Sequence, residues 1–463
     1  MSRPAPRIAT VTGDAAGIFE AICALPIVSP HGHCDPAWWA EDAAFPDPAA
    51  LIVTPDHYLF RMLHSLGVPL GEIGIGTAPA DRDSAAIFRV FGRHWDAFLG
   101  TPTRMWLEHT FHEVIGVDVE FAEDTADAVH EQVAAWLRDP ANRPRALFDR
   151  FGLEVLATTD PALSTLAAHE TIAASGWGGR IVPTFRPDDL IDPARPGHPE
   201  AIRTLAEMTD TDVTTHAGFL DAIRARRAAF RARGATATDH DVPRLMTAWL
   251  PRAEIEALHA RARTGDLSSG EAAAFHGHML TEMAQMAADD GMVMQIHAGS
   301  TRSTNRALAD RFGPDMGADI PRATNWVEGL DALLNRVGND PRFRLIVFTL
   351  DEGAYARELA PMAGHWPALR LGPPWWFHDS LNGIRRYFDR VVETAGYRNL
   401  AGFNDDTRAF LSIPARHDLW RRGVALHLAD QIGRGVLRRA DADRIAPLLA
   451  RDLAIEAYRL GDR

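Results

Sequence analysis

Two textures alternate along the chain. Short apolar runs, each ending at polar residues, cover residues 27–33, 153–157, 181–182, 234–240, 292–297, 343–350, 368–371 and 400–403. Their length and their punctuation by Pro, Gly, Asp and Thr are those of β-strands. Between them apolar residues recur at helical spacing, over 37–150, 190–233, 252–290 and from about 418 to 460. In the first of these intervals Trp38, Trp39, Phe60, Met62, Leu63, Phe88, Phe91, Trp95, Phe98, Trp106 and Leu107 form the periodic set and are assigned to a core.

Strand and helix in alternation imply a parallel sheet, and eight such units imply an α/β fold of the (β/α)8, TIM-like barrel type. The expected organisation is one barrel domain over 1–463, with a large helical insertion at 37–150 after the first strand and helical segments at 190–233 and 252–290 flanking the fourth. A doubly wound sheet is the alternative. It would not bring the first and last strands together, whereas closure makes them neighbours.

Composition narrows the function classes. The 463 residues are 46% hydrophobic and 24% charged, as in an ordinary globular protein with material for a large core. A net charge of -14 argues against a nucleic-acid surface, which needs a concentrated excess of basic residues. No stretch has the length of a membrane span and no signal-peptide core follows the N-terminus, so a cytoplasmic protein is expected. The two cysteines, Cys23 and Cys34, fit a reducing compartment. Lysine is absent from the chain. That excludes Schiff-base and pyridoxal-phosphate chemistry, a P-loop lysine and a carboxylated-lysine metal bridge.

The chemistry collects at the strand ends. His31 and His33 are two residues apart in an extended run, so both imidazoles project to one side. If the barrel closes they face Asp405 or Asp406 at the end of the eighth run. Strand alternation favours Asp406 as the inward carboxylate, with Asp405 behind it or solvated. Two imidazoles and a carboxylate form a three-ligand site with open positions, a pattern of catalytic zinc. His297, closing the fifth run, is a fourth ligand or a substrate partner. Asp56-His57-Tyr58 reads either as a helix start, since Asp caps helices, or as part of the site. Arg186 and Arg408 also stand at strand ends, where a planar guanidinium can receive a carboxylate.

Pro30-His31-Gly32-His33-Cys34-Asp35-Pro36, Asp56-His57-Tyr58, Thr158-Thr159-Asp160, Pro183-Thr184-Phe185-Arg186-Pro187-Asp188, Met294-Gln295-Ile296-His297, Gly313-Pro314-Asp315, Trp375-Trp376-Phe377 and Asp406-Thr407-Arg408-Ala409-Phe410-Leu411-Ser412 together resemble the uronate isomerase family of the amidohydrolase superfamily. The resemblance runs over nearly the whole chain. It implies one divalent metal ion, zinc by expectation, held by His31, His33 and Asp406. It implies a substrate pocket drawn from Tyr58, Arg186, His297, Trp375, Trp376 and Arg408. His57, Asp239, His240 and Arg302 are further substrate-binding candidates, Arg302 beside Arg186 for the substrate carboxylate, and the chemistry points to Asp406, Tyr58 and Arg408 as the catalytic groups.

The implied reaction interconverts D-glucuronate with D-fructuronate and D-galacturonate with D-tagaturonate by moving a proton from C2 to C1. The expected partners are a small uronate substrate and further copies of the chain, without nucleic acid or membrane. The chain departs from the family pattern where Ala235-Thr236-Ala237-Thr238 precede Asp239-His240, where Asp160 runs into Pro161, and at His378 and Asn404. These positions bear on substrate choice rather than on the metal set. A single-metal hydrolase of a sugar-acid lactone or amide, and a barrel that only binds sugar acids, are the competing readings.

Overall fold

The computed structural model describes residues 10–374 and 378–461. Its strands are β1 (Ile27–Ser29), β2 (Leu153–Pro161), β3 (Ile181–Arg186), β4 (Ala237–Val242), β5 (Val293–Ala298), β6 (Ser300–Thr301), β7 (Ile320–Pro321), β8 (Leu345–Phe348) and β9 (Leu369–Leu371). Seven of them form one parallel, curled sheet in the order β1-β2-β3-β4-β5-β8-β9. β6 and β7 pair antiparallel in a small ribbon just after β5.

The expected eighth strand is not one. Residue 400 makes a single parallel bridge to Leu371, and the Ala401 N–H donates to Leu371 O at 2.8 Å. The chain then turns at Gly402, whose φ is 78°; a Cβ there would lie 2.6 Å from the Ala454 nitrogen. Positive φ against a closely packed backbone is a glycine position that ends a ladder. The segment nevertheless reaches β1: the His33 N–H donates to Thr407 O at 3.0 Å. The architecture is therefore a seven-stranded curled sheet whose open side is spanned by an irregular segment.

Strand alternation sorts the side chains. Val28, Val155, Ala157, Val182, Ala237, Val293, Ile346 and Phe348 share the inner face with Ala454, Ala457, Tyr458 and Leu460 from the C-terminal helical segment. Phe185, Val242, Met294 and Ile296 face outward into the helix layer. There the helix Ser269–Asp290, started by a Ser268/Glu271 capping box and stopped by left-handed Gly291, is buried along most of its length. The helices of 37–150 keep a second core of Trp39, Phe60, Phe88, Phe91, Trp95, Phe98 and Trp106, which also covers the outer face of β1 to β3 through Ile27, Leu156 and Ile181. Each such ring buried is worth about 1.5–3 kcal/mol, so the insertion is anchored as a rigid wall. The last long helix, Ile413–Gly433, begins five residues before the periodicity suggests. Its Arg416 and His417 thereby sit directly behind the site. No described helix is long and apolar enough to cross a membrane.

Candidate active site

β1 ends at Ser29 and the chain bends at His31, and from there His31 and His33 converge on Asp406. Asp406 Oδ1 lies 3.1 Å from His33 Nε2 and 3.5 Å from His31 Nε2. One ligand atom from each of the three residues falls within 4.8 Å of the others. Asp406 is aimed by an unusual backbone rather than by strand alternation, since its φ is 42°. Asp tolerates the left-handed region better than most residues. Asp405 is neither solvated nor free: it is 1% exposed, and its Oδ2 lies 3.1 Å from His417 Nε2.

The charge states suit metal ligation. Burial pushes the His31 imidazole down to about 4, outweighing the pull of Asp239 and Asp406, so the ring is neutral and its lone pair available. Burial opposes ionisation of Asp406, but the hydrogen bond with His33 and the charges of His31, His33 and His297 hold the carboxyl well below the usual carboxylate range. His31 Nδ1 is buried without a hydrogen-bond partner among the described residues. Two imidazoles and an ionised carboxylate within reach of one point are the donor set that a divalent ion takes.

β4 and β5 contribute the next layer. His297 Nδ1 stands 2.7 Å from Asp239 Oδ1, and the His297 ring packs against both His31, centroids 4.8 Å apart, and Phe348, at 4.3 Å. His31, Asp239 and His297 form a second group with ligand atoms within 4.8 Å. His240 is a correction. Alternation along β4 puts Ala237, Asp239 and Asp241 on the inner face, so His240 points outward with Val242 into the helix layer, where its Nδ1 meets Gln295 O at 2.9 Å. It does not line the cavity.

Above this floor opens a cavity of about 360 Å³ lined by His33, His57, Tyr58, Arg186, Arg195, Asp241, Ser300, Arg302, Asp315, Asp319, Asp406 and Arg408, among others. Asp56-His57-Tyr58 starts a helix and also lines the cavity. Asp56 caps the helix His57–Ser65, accepting from Tyr58 N at 2.9 Å and Leu59 N at 3.3 Å, and the cap turns His57 and Tyr58 into the cavity. Burial, reinforced by Arg408, drives the His57 ring down to about 3. Burial and the charge of Asp406 raise the Tyr58 phenol well above its usual value, so it keeps its proton as a donor.

The remaining wall is an alternating lattice of guanidiniums and carboxylates. Arg186 Nε bonds Asp188 at 2.7 Å, with Asp239 at 3.4 Å and Asp241 at 3.7 Å. Burial works against its charge, yet Asp188, Asp239 and Asp241 together hold the guanidinium above the ordinary arginine value. Arg195 bridges Asp188 and Asp241, both at 3.2 Å. Arg302 meets Asp241 and Asp319 at 3.3 Å each, and Arg408 meets Asp315 at 3.1 Å. Sequence reasoning assigned no part to Arg195, Asp241 or Asp319. Asp241 was legible, being two residues beyond Asp239 on the same strand. Arg195 and Asp319 lie in irregular segments with no periodic signal. Trp375 and Trp376 lie outside the described residues.

A curled parallel sheet whose strand ends gather His, Asp and Arg beside a cavity, with three of those side chains grouped so that they could hold a metal ion, has the form of an α/β enzyme. The chain belongs to the glucuronate isomerase family, whose sequence pattern matches residues 10–456. It is 54% identical to a uronate isomerase of Rhizorhabdus wittichii over 446 residues, covering 96% of this chain and 95% of that protein. It is 49% identical to a uronate isomerase of Phenylobacterium zucineum over 97% of this chain and 94% of that one. The crystal structure of glucuronate isomerase from Caulobacter crescentus superposes with a TM-score of 0.96 at 45% identity, covering 100% of this chain and 98% of the other.

Proposed function

We propose that the chain is an aldose-ketose isomerase of uronates, interconverting D-glucuronate with D-fructuronate and D-galacturonate with D-tagaturonate. The family match over nearly the whole chain supports isomerisation over hydrolysis. The observation that carries the chemistry is the meeting of His31, His33 and Asp406 on the floor of an arginine-lined cavity. His31, His33 and Asp406 are the residues that would hold one divalent ion, zinc in this reading, and the ion would supply Lewis-acid polarisation of the sugar's carbonyl and hydroxyl oxygens.

The protein's own groups account for the rest. The transfer passes through an enediolate, so a base must reach C2 and donors must face the developing oxyanion. Asp406, held ionised, takes the C2 proton and returns it to C1. Tyr58, which keeps its phenolic proton, and Arg408, across the cavity mouth, donate to the oxyanion. His297, locked by Asp239, presents its other ring edge to the sugar. Arg186 and Arg302 face the substrate carboxylate, for which a guanidinium offers paired donors. The two cysteines are free, in keeping with a reducing cytoplasm.

The test is incubation of the purified protein, with and without chelator, with D-glucuronate and D-galacturonate in deuterated water. NMR should show ketouronate forming, with deuterium at C1 only to the extent that the proton held by Asp406 exchanges with solvent before it is returned. No ketouronate from either sugar at high enzyme concentration would refute the reading.

A further inference from the structure

We propose that Arg416, outside the cavity, is a positioning residue that holds Asp406 and Tyr58 in one fixed relation. The proposal rests on the reading of those two side chains as reacting groups. Asp406 needs such a hold, because its φ of 42° is a conformation that residues with side chains keep only when their surroundings over-determine it.

The hold comes from one buried cation. Arg416 is 1% exposed. Its Nη1 donates to Asp405 O at 3.0 Å and to Asp379 Oδ2 at 2.6 Å, and its Nε donates to Ser412 Oγ at 3.0 Å. Ser412 Oγ in turn donates to Ala409 O at 2.7 Å. The chain is therefore tied on both sides of Asp406, one residue before it and three after, to the same guanidinium. His417, the next residue of that helix, grips the Asp405 carboxylate at 3.1 Å. The flat face of Arg416 lies 3.8 Å from the centroid of the Trp106 ring, and Trp106 packs tilted against Tyr58 with centroids 6.1 Å apart.

A cation present only to neutralise Asp379 would need none of this. Donations from Nε and Nη1 and a stacked face fix the plane of the guanidinium, with Nη2 left without a hydrogen-bond partner among the described residues, and a lysine ammonium cannot reproduce that arrangement. One side chain thus spans the backbone of the carboxylate and the aromatic backing of the phenol.

Two variants test it in the metal-loaded protein. Arg416→Lys keeps the charge opposite Asp379. Arg416→Met combined with Asp379→Asn removes both members and leaves no unpaired buried charge. In each, kcat is expected to fall about 100-fold, the usual cost of a displacement near 1 Å. KM should stay within about threefold, since ground-state binding is not what is lost. Crystal structures of the variants should show Asp406 out of its left-handed conformation, or its carboxylate moved away from His33. Trp106→Phe, which leaves every ion pair in place, reads the Tyr58 arm alone and should lower kcat about 10-fold with Tyr58 displaced.

Asp406 and Tyr58 superposing on the wild type in the Arg416 variants would overturn the proposal, whatever happens to the rate. So would an unchanged kcat. Because the coordinates of Asp406 are read directly, its displacement in a protein that isomerises no uronate would uphold the positioning role while refuting the proposed chemistry.

Discussion

Asp239 and His297 meet through a 2.7 Å hydrogen bond that joins the ends of β4 and β5 beside His31. The bond fixes the orientation of the His297 ring against His31. Asp239→Asn removes the charge that holds this orientation. Activity or metal affinity should fall about 10- to 100-fold, as is usual for partners that orient a site histidine. Steady-state kinetics and metal content per chain check it, and wild-type values for both would refute a role for the pair.

Asp406→Asn preserves shape and loses the base. Turnover should drop by about 10³-fold or more, within the range for a general base, while circular dichroism and thermal midpoint stay close to wild type. Near-normal activity would mean that a different carboxylate carries the proton.

Exhaustive chelation should abolish turnover, and readdition of zinc or another first-row divalent ion should restore it, because His2Asp sets accept several such ions. Activity that survives verified metal removal would dissociate the His31, His33 and Asp406 group from catalysis.

Arg302→Met removes a guanidinium that meets Asp241 and Asp319 at the cavity wall. If it also receives the substrate carboxylate, KM for a uronate should rise about 10- to 100-fold, the equivalent of one charge-assisted pair. A KM that stays put would move that role to Arg186.

His240 supplies a pH signature away from the chemistry. It is fully buried on the outer face of β4, and burial lowers its folded value to about 4 from the ordinary 6.5. Above pH 6.5 it is neutral in both states. As pH falls through 6.5 the unfolded chain takes up a proton that the folded chain refuses until about pH 4, so stability is lost across that window, by up to about 3 kcal/mol. In His240→Gln, the denaturation midpoint should therefore fall less between pH 7.5 and 5 than in the wild type. Parallel curves for the two proteins would show that His240 takes no part in acid lability.

The parts legible in the sequence were those governed by local periodicity. Seven parallel strands and the helical stretch after β1 follow from spacing alone, whereas His31 and His33 meet Asp406 past a bend at His31 rather than along a strand. The eighth strand was misread because residues 400–403 are apolar enough to look like one, whereas a left-handed glycine and the close backbone of Ala454 stop it after one bridge. Asp406 was singled out by alternation, but its left-handed backbone is what aims it. The arginine lattice was only partly visible: Arg186 ends a strand, while Arg195 comes from a loop whose partners, Asp188 and Asp241, are set by tertiary packing. Arg416 gives no signal at all, being one more arginine on an Arg-rich helix until the fold places it behind Asp405.

The hydrogen bond from the His33 amide to the Thr407 carbonyl also sets a timetable. Roughly 370 residues separate the two halves of the ligand set. At about 10 residues per second of synthesis, His33 leaves the ribosome some 40 s before Asp406. Throughout that interval the two imidazoles lack Asp406. An ion held by the three side chains would find its full set only once the last helices dock, and a chain truncated before Asp406 should bind zinc more weakly than the full chain.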